Sequence, residues 1–103
     1  MRAAKVDANH QEIVETLRAL GASVQSLATV GDGCPDLVVG WRGRNVLLEV
    51  KDGAKAPSRR RLTAEEGRWH RRWRGKARIV ESVEEAVSVV FGPSSDQMEH
   101  FQQ

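Results

Sequence analysis

The fold turns on Gly33-Cys34-Pro35-Asp36-Leu37-Val38-Val39-Gly40 and, after Trp41-Arg42-Gly43-Arg44, on Asn45-Val46-Leu47-Leu48-Glu49-Val50-Lys51. Both runs are apolar, rich in β-branched residues and bounded by Gly and Pro, which is the composition of short strands. Gly43 supplies the positive φ that a tight hairpin turn needs. A turn centred between Arg42 and Gly43 sets Val39 opposite Val46, Val38 opposite Leu47, Leu37 opposite Leu48 and Asp36 opposite Glu49. Strand side chains alternate between faces. Leu37, Val39, Val46, Leu48 and Val50 therefore form an apolar face, and Asp36, Glu49 and Lys51 fall together on the other.

Two carboxylates on directly opposed strand positions repel, and both ionise in a partly desolvated site only if a cation lies between them. Two carboxylates plus waters suit a hard ion such as Mg2+. The Lys51 ammonium, next along the same face, is placed to hold an attacking water or to stabilise charge on a phosphate. Singly, each residue reads as an ordinary solvent-face or turn residue. Their convergence in one register makes the site.

Pro35-Asp36, twelve intervening residues and then Glu49-Val50-Lys51 resemble the PD-(D/E)XK nuclease signature. Asp32 to Gly40, with Leu48-Glu49-Val50-Lys51-Asp52-Gly53 and Leu62-Thr63-Ala64-Glu65-Glu66, resemble more narrowly the small stand-alone VRR-NUC domains of phages and bacteria, over about residues 8 to 91. The resemblance implies an α/β fold: a restriction-endonuclease-like αβββαβ core, its mixed four-stranded sheet flanked by helices. It also implies a metal held by Asp36, Glu49 and the carbonyl of Val50, with Lys51 as the catalytic lysine. In the family a Glu on the first helix often points at the metal, and Glu12 matches that position. The family commonly has Gln where this chain has Glu66, so Glu66 is a departure within an extended active site.

With 103 residues, one domain with a modest core is expected, over residues 1 to 92, and residues 93 to 103 read as a polar, disordered tail. The chain is 40% hydrophobic and 29% charged, as in globular proteins. No apolar run is long enough for a membrane span, and the first residues lack the apolar core of a signal peptide, so a cytoplasmic location is expected. Cys34, the single cysteine, excludes an internal disulfide and a cysteine-based zinc site, and reads as a small buried hydrophobe.

Net charge is only +2, but nine of the sixteen basic residues lie between Arg59 and Arg78. Arg59, Arg60, Arg61, Arg68, Arg71 and Arg72 are the candidate contacts to a nucleic-acid backbone, since Arg suits bidentate phosphate binding.

In chain order, Asn9 to Leu20 reads as a helix with Ile13, Leu17 and Leu20 at helical spacing, Asn9 or Asp7 as its cap and Glu12 as a capping-box partner. Ala22 to Ala28 reads as a first strand. The segment Thr29 to Gly33 reads as a turn with Asp32 in solvent, and the basic loop after Lys51 leaves the strand at the site. Thr63-Ala64-Glu65-Glu66 is a capping box opening a helix that runs to about Arg74. On that helix Trp69 and Trp73 share a face and read as core packing ahead of base stacking or a dimer surface; His70, on a basic stretch, reads as an ordinary helix residue ahead of a phosphate contact or an aid to proton transfer. Ala77 to Glu81 reads as a fourth strand. Ser82-Val83-Glu84-Glu85 opens a C-terminal helix that Gly92-Pro93 stops.

The expected function is hydrolysis of DNA phosphodiester bonds with Mg2+ or Mn2+. Nothing supplies base-specific readout, because phosphate contacts carry no sequence information. The resemblance points to structure selectivity of the Holliday-junction-resolvase kind, with four-way junctions as substrate and a homodimer as the working form. The rival is a catalytically silent DNA-binding module of the same fold.

Overall fold

The computed structural model describes residues 7 to 93. The expected tail from residue 94 onward lies outside the described residues, as do residues 1 to 6. The element order is α1 (His10–Ala19), β1 (Ser23–Ser26), β2 (Leu37–Trp41), β3 (Arg44–Val50), a 3-10 turn (Pro57–Arg59), α2 (Ala64–Arg72), β4 (Ala77–Val80) and α3 (Val83–Phe91).

The four strands form one sheet in the order β1-β2-β3-β4. The first two pairings are antiparallel and β3–β4 is parallel, so the sheet is mixed, as the order of elements predicts. From Leu37 to Trp41 the hairpin register is the expected one: Leu37 pairs with Leu48, Val38 with Leu47 and Val39 with Val46; at its end the Asp36 N–H donates to the Leu48 carbonyl, one residue off the expected Asp36–Glu49 pairing. Arg42 and Gly43 both have positive φ (51° and 77°), the two-residue turn whose twist matches the strands it joins.

The apolar face of the sheet is the core. Leu37, Val39, Val46, Leu48, Val50 and Val80 are buried together with Ile13 and Leu17 of α1 and Ala86 and Val90 of α3. Each fully buried Leu or Ile here contributes about 2 kcal/mol of apolar transfer.

Helix α2 differs from the other two. It has no buried residue, and it lies over the opposite face of the sheet, where Glu49 and Lys51 point. Its tryptophans are not core residues, contrary to expectation: Trp69 and Trp73 stack on each other at 4.6 Å, and Trp73 is 47% exposed. The apolar face of the sheet is already filled by α1 and α3, so nothing remains there for α2 to cover. The helix also stops at Arg72, because Trp73 turns extended (ψ 130°).

Two further expectations shift. The first strand is confined to Ser23–Ser26: the Leu27 N–H still reaches the Asp36 carbonyl, its partner in the same register, but the Ala28 N–H turns to the Ser26 hydroxyl. Asn9 is the N-cap residue of α1 but its side chain caps nothing there. It donates instead to the carbonyls of Lys51 (3.1 Å) and Glu81 (3.2 Å), tying the helix to the ends of β3 and β4.

Candidate active site

The hairpin brings Asp36, at the mouth of β2, and Glu49, in β3, to neighbouring strands on the non-core face. Asp36 is fixed by its own backbone pairing and by the Val50 N–H, which donates to its Oδ2 at 2.7 Å. Glu49 would be open to solvent on this face if α2 did not lie over it; with α2 in place it is 2% exposed. Its Oε1 is buried and has no hydrogen-bond partner. A buried, unpartnered carboxylate oxygen is costly, and native proteins keep such groups where something else binds them.

Charge in the cluster is shifted accordingly. Burial pushes the Glu49 carboxyl up to about 9, with help from the neighbouring Asp36 charge, a carboxyl–carboxyl hydrogen bond with Asp36 and the charge of Glu66, against an opposing pull from Lys51. At neutral pH, with no cation beside it, the Glu49 carboxyl therefore keeps its proton. Burial also raises the Cys34 thiol, with Glu49 and Asp36 adding to it.

Lys51 follows β3, anchored by its own N–H to the Val80 carbonyl. Its Nζ donates to Glu66 Oε1 at 3.0 Å, an ion pair with both side chains mostly buried (12% and 21% exposed). Burial lowers the ammonium, but the hydrogen bond and charge of Glu66, with Glu49 and Asp7 behind them, outweigh it and leave Lys51 raised. Glu66 does two jobs with one oxygen. Oε1 also accepts the Thr63 N–H at 2.9 Å while Thr63 Oγ1 accepts the Glu66 N–H, so the expected capping box is complete. The cap fixes the Glu66 rotamer, and the rotamer fixes Lys51.

His70, one turn further along α2, enters the cluster although the sequence favours an ordinary helix residue there. Its Nε2 is buried, has no hydrogen-bond partner and lies 3.5 Å from Glu49 Oε1. Burial lowers its pKa, Lys51 lowers it further, and Glu66 opposes them. The imidazole therefore favours its uncharged form more strongly than a free histidine does. The signal in the sequence was its spacing: four residues after Glu66 on a helix, His70 shares Glu66's face.

Beneath α2 the Asp32-Gly33 turn passes close. Gly33 has φ +78°, and a Cβ there would collide with the Glu65 carbonyl. Glycine is required at this position to let the first turn of α2 settle over the hairpin. Asp32 is exposed, as expected, and takes no part.

The remaining candidates lie elsewhere. Glu12 is exposed and lines a shallow groove with Asp52, Glu81 and Glu85. Ile13 and Leu17 direct the inner face of α1 to the core, and Asn9, a turn before Ile13, holds the position facing Lys51. An acid that does act on Lys51 from this end is Asp7, which also pairs with Lys55 at 2.9 Å. Arg60 is committed to the fold, with Nη1 on Glu81 Oε1 at 3.0 Å. Arg59, Arg61, Arg68, Arg71 and Arg72 are exposed, and among the described residues none of them makes an ion pair. Val50 contributes its N–H to Asp36. Among the described residues no three His, Cys, Asp or Glu side chains are grouped closely enough to cage an ion alone. Any ion here would need main-chain, water or phosphate oxygens as well, which is how Mg2+ is usually held.

A solved structure described as a VRR-NUC domain superposes on this chain with a TM-score of 0.59 and 29% sequence identity, covering 79% of this chain and 88% of that one. This chain has the VRR-NUC fold. No family model matches it, and no curated protein does. Within the VRR-NUC fold, the mixed sheet and the hairpin that carries Asp36 and Glu49 are the parts read directly from the sequence. No helix among the described residues is long and apolar enough to cross a membrane.

Proposed function

We propose that this VRR-NUC domain is a divalent-metal-dependent nuclease that hydrolyses DNA phosphodiester bonds, selects branched DNA such as four-way junctions, and works as a homodimer. The observation that carries the reading is Glu49: a carboxyl 2% exposed, with one oxygen unpartnered, beside a second carboxylate and a lysine. Binding DNA does not call for two acids facing a phosphate. Holding a cation against it does.

The donor set fits a hard divalent ion, Mg2+ or Mn2+. Asp36 and Glu49 would hold it, with the Val50 carbonyl as a main-chain donor. Once bound, the ion neutralises the acid pair and offsets charge on the phosphate oxygens. Lys51 orients the attacking water and offsets charge developing on the phosphate. To do so its ammonium turns from Glu66 toward the phosphate, and Glu66, held by the capping box, keeps it within reach. Arg59, Arg61, Arg68, Arg71 and Arg72 hold the backbone, and stacked Trp69 and Trp73 add an aromatic surface beside them. These contacts read phosphate and shape, not bases. Two symmetric cuts across a four-way junction ask for two sites related by a two-fold axis.

One observation favours the silent DNA-binding module: Lys51 is engaged by a carboxylate at 3.0 Å. Cleavage of labelled four-way-junction DNA in Mg2+ or Mn2+, beside a linear duplex of the same sequence, with EDTA and Lys51→Ala controls, separates the two. Paired, metal-dependent cuts at the junction that vanish in Lys51→Ala are expected. Binding without cleavage under either ion would sink the nuclease reading for these substrates. Sedimentation as a monomer, with and without DNA, would remove the dimer.

A further inference from the structure

We infer that His70 is an additional metal ligand of this site, donating through Nε2 to an ion shared with Glu49 and biasing the site toward ions that accept imidazole. The inference rests on the metal-dependent reading above, and deepens it. Two buried polar atoms, Glu49 Oε1 and His70 Nε2, face each other without hydrogen-bond partners. Their 3.5 Å separation is too long for an N–H···O hydrogen bond, which closes at about 2.7–3.2 Å. It is close to the spacing of two donors on one ion: at bond lengths of about 2.1 Å, ligand atoms stand roughly 3.0–3.4 Å apart for octahedral to tetrahedral angles.

The supporting frame is rigid where it needs to be. Glu49 sits in the middle of the sheet, paired across to Ile79, and the capping box at Thr63 and Glu66 fixes the first turn of α2, one turn before His70. Glu49 is then common to two pairs of donors, Asp36 on the neighbouring strand and His70 on the helix above. An imidazole nitrogen favours first-row transition ions such as Mn2+ over Mg2+, which keeps to oxygen donors. The helix that carries His70 has no buried residue, so an ion bridging Glu49 and His70 would also fasten α2 to the sheet.

The test is pulsed EPR on the full chain loaded with Mn2+, with Mn2+ and Mg2+ affinities measured by calorimetry. A 14N coupling from a bound imidazole is expected in the wild type and is lost in His70→Gln. Mn2+ binding should weaken about tenfold in that variant, and Mg2+ binding by less than about twofold. Bound Mn2+ without 14N coupling, or coupling that survives His70→Gln, overturns the assignment and leaves the metal-dependent nuclease standing. Absence of any Mn2+ or Mg2+ binding to the wild type overturns both. If His70→Gln folds poorly, a Zn2+ titration of wild-type protein carrying 15N-histidine reads the same atom directly, and an unmoved Nε2 resonance of His70 refutes the proposal.

Discussion

Replacing Glu49 by Gln should make the metal-free protein more stable while removing its metal site. In the fold the Glu49 carboxyl keeps its proton up to a pKa of about 9, whereas in the unfolded chain it ionises near 4.5. The folded state therefore binds more protons than the unfolded one between these values, and stability contributed by this group falls as pH rises through that window. It is fully present below about pH 4.5 and gone above about pH 9. The steepest possible slope is a tenfold change in the folding equilibrium per pH unit. At pH 7 the loss reaches at most about 3 kcal/mol, and water penetration on metal removal will reduce it.

Gln has nearly the same shape, carries no charge at any pH, and offers its NH2 to Asp36. Glu49→Gln should gain about 1–3 kcal/mol at pH 7 in EDTA, a rise in Tm of roughly 10 °C for a domain of this size. The assay is urea denaturation of both proteins in EDTA at pH 5, 6, 7 and 8. The stability difference should grow with pH from near zero at pH 5. Saturating Mn2+ should stabilise the wild type and leave Glu49→Gln unmoved, since binding to the native state alone adds stability by mass action. A difference that stays constant with pH, or a variant less stable than the wild type at pH 8, would refute the argument that Glu49 is a buried carboxylate awaiting a cation.

Glu66→Gln should keep the helix cap, because the amide oxygen still accepts the Thr63 N–H, but should free Lys51 from its ion pair; the melting temperature should fall modestly as α2 loses that contact, and metal-dependent cleavage should rise severalfold. Glu66→Ala should lose the cap as well, at about 1 kcal/mol in denaturation experiments. Gly33→Ala should be more damaging than Gly31→Ala, although φ is positive at both (78° and 85°), because only at Gly33 would the new Cβ meet the backbone of α2. Thermal melts should place Gly31→Ala about 1 kcal/mol below wild type and Gly33→Ala well below that. Arg71→Ala should weaken DNA binding uniformly across sequences and flatten the logarithmic salt dependence by about one, whereas Arg60→Ala should chiefly lower the unfolding midpoint by breaking its contact with Glu81.

The hairpin was legible because its two constraints agree. Alternation along the strands set which residues share a face, and Arg42-Gly43 set the register, so Asp36, Glu49 and Lys51 could be placed together without any long-range information. The helices were legible for the same local reason: caps at Thr63 and Ser82 and the spacing of Ile13 and Leu17 are written within a few residues of where they act. Glu12 and His70 show where this kind of reading stops. Which helix residue faces Lys51 depends on how α1 is rotated against the sheet, and the burial of Ile13 and Leu17 fixes that rotation with Asn9, not Glu12, at the contact. His70 depends on a docking that no apolar periodicity announces.

Helix α2 explains why His70 could not be placed from the sequence. An apolar stripe tells a reader which face of a helix turns inward, and α2 has none that reaches the core. Among the described residues, the side-chain polar contacts holding it over the sheet are Lys51–Glu66 and the approach of His70 to Glu49, both made by residues of the candidate site. The tryptophans, which would ordinarily mark the buried face, stack outward on one another instead. A helix fastened this way is placed by the chemistry it serves. Weakening those contacts by releasing Lys51 to a phosphate, and strengthening them through a cation between Glu49 and His70, would act on the same element in opposite directions. The position of α2 is thereby tied to what occupies the site, and hydrogen exchange at Glu66 to Arg72 should slow on Mn2+ binding if that tie is real.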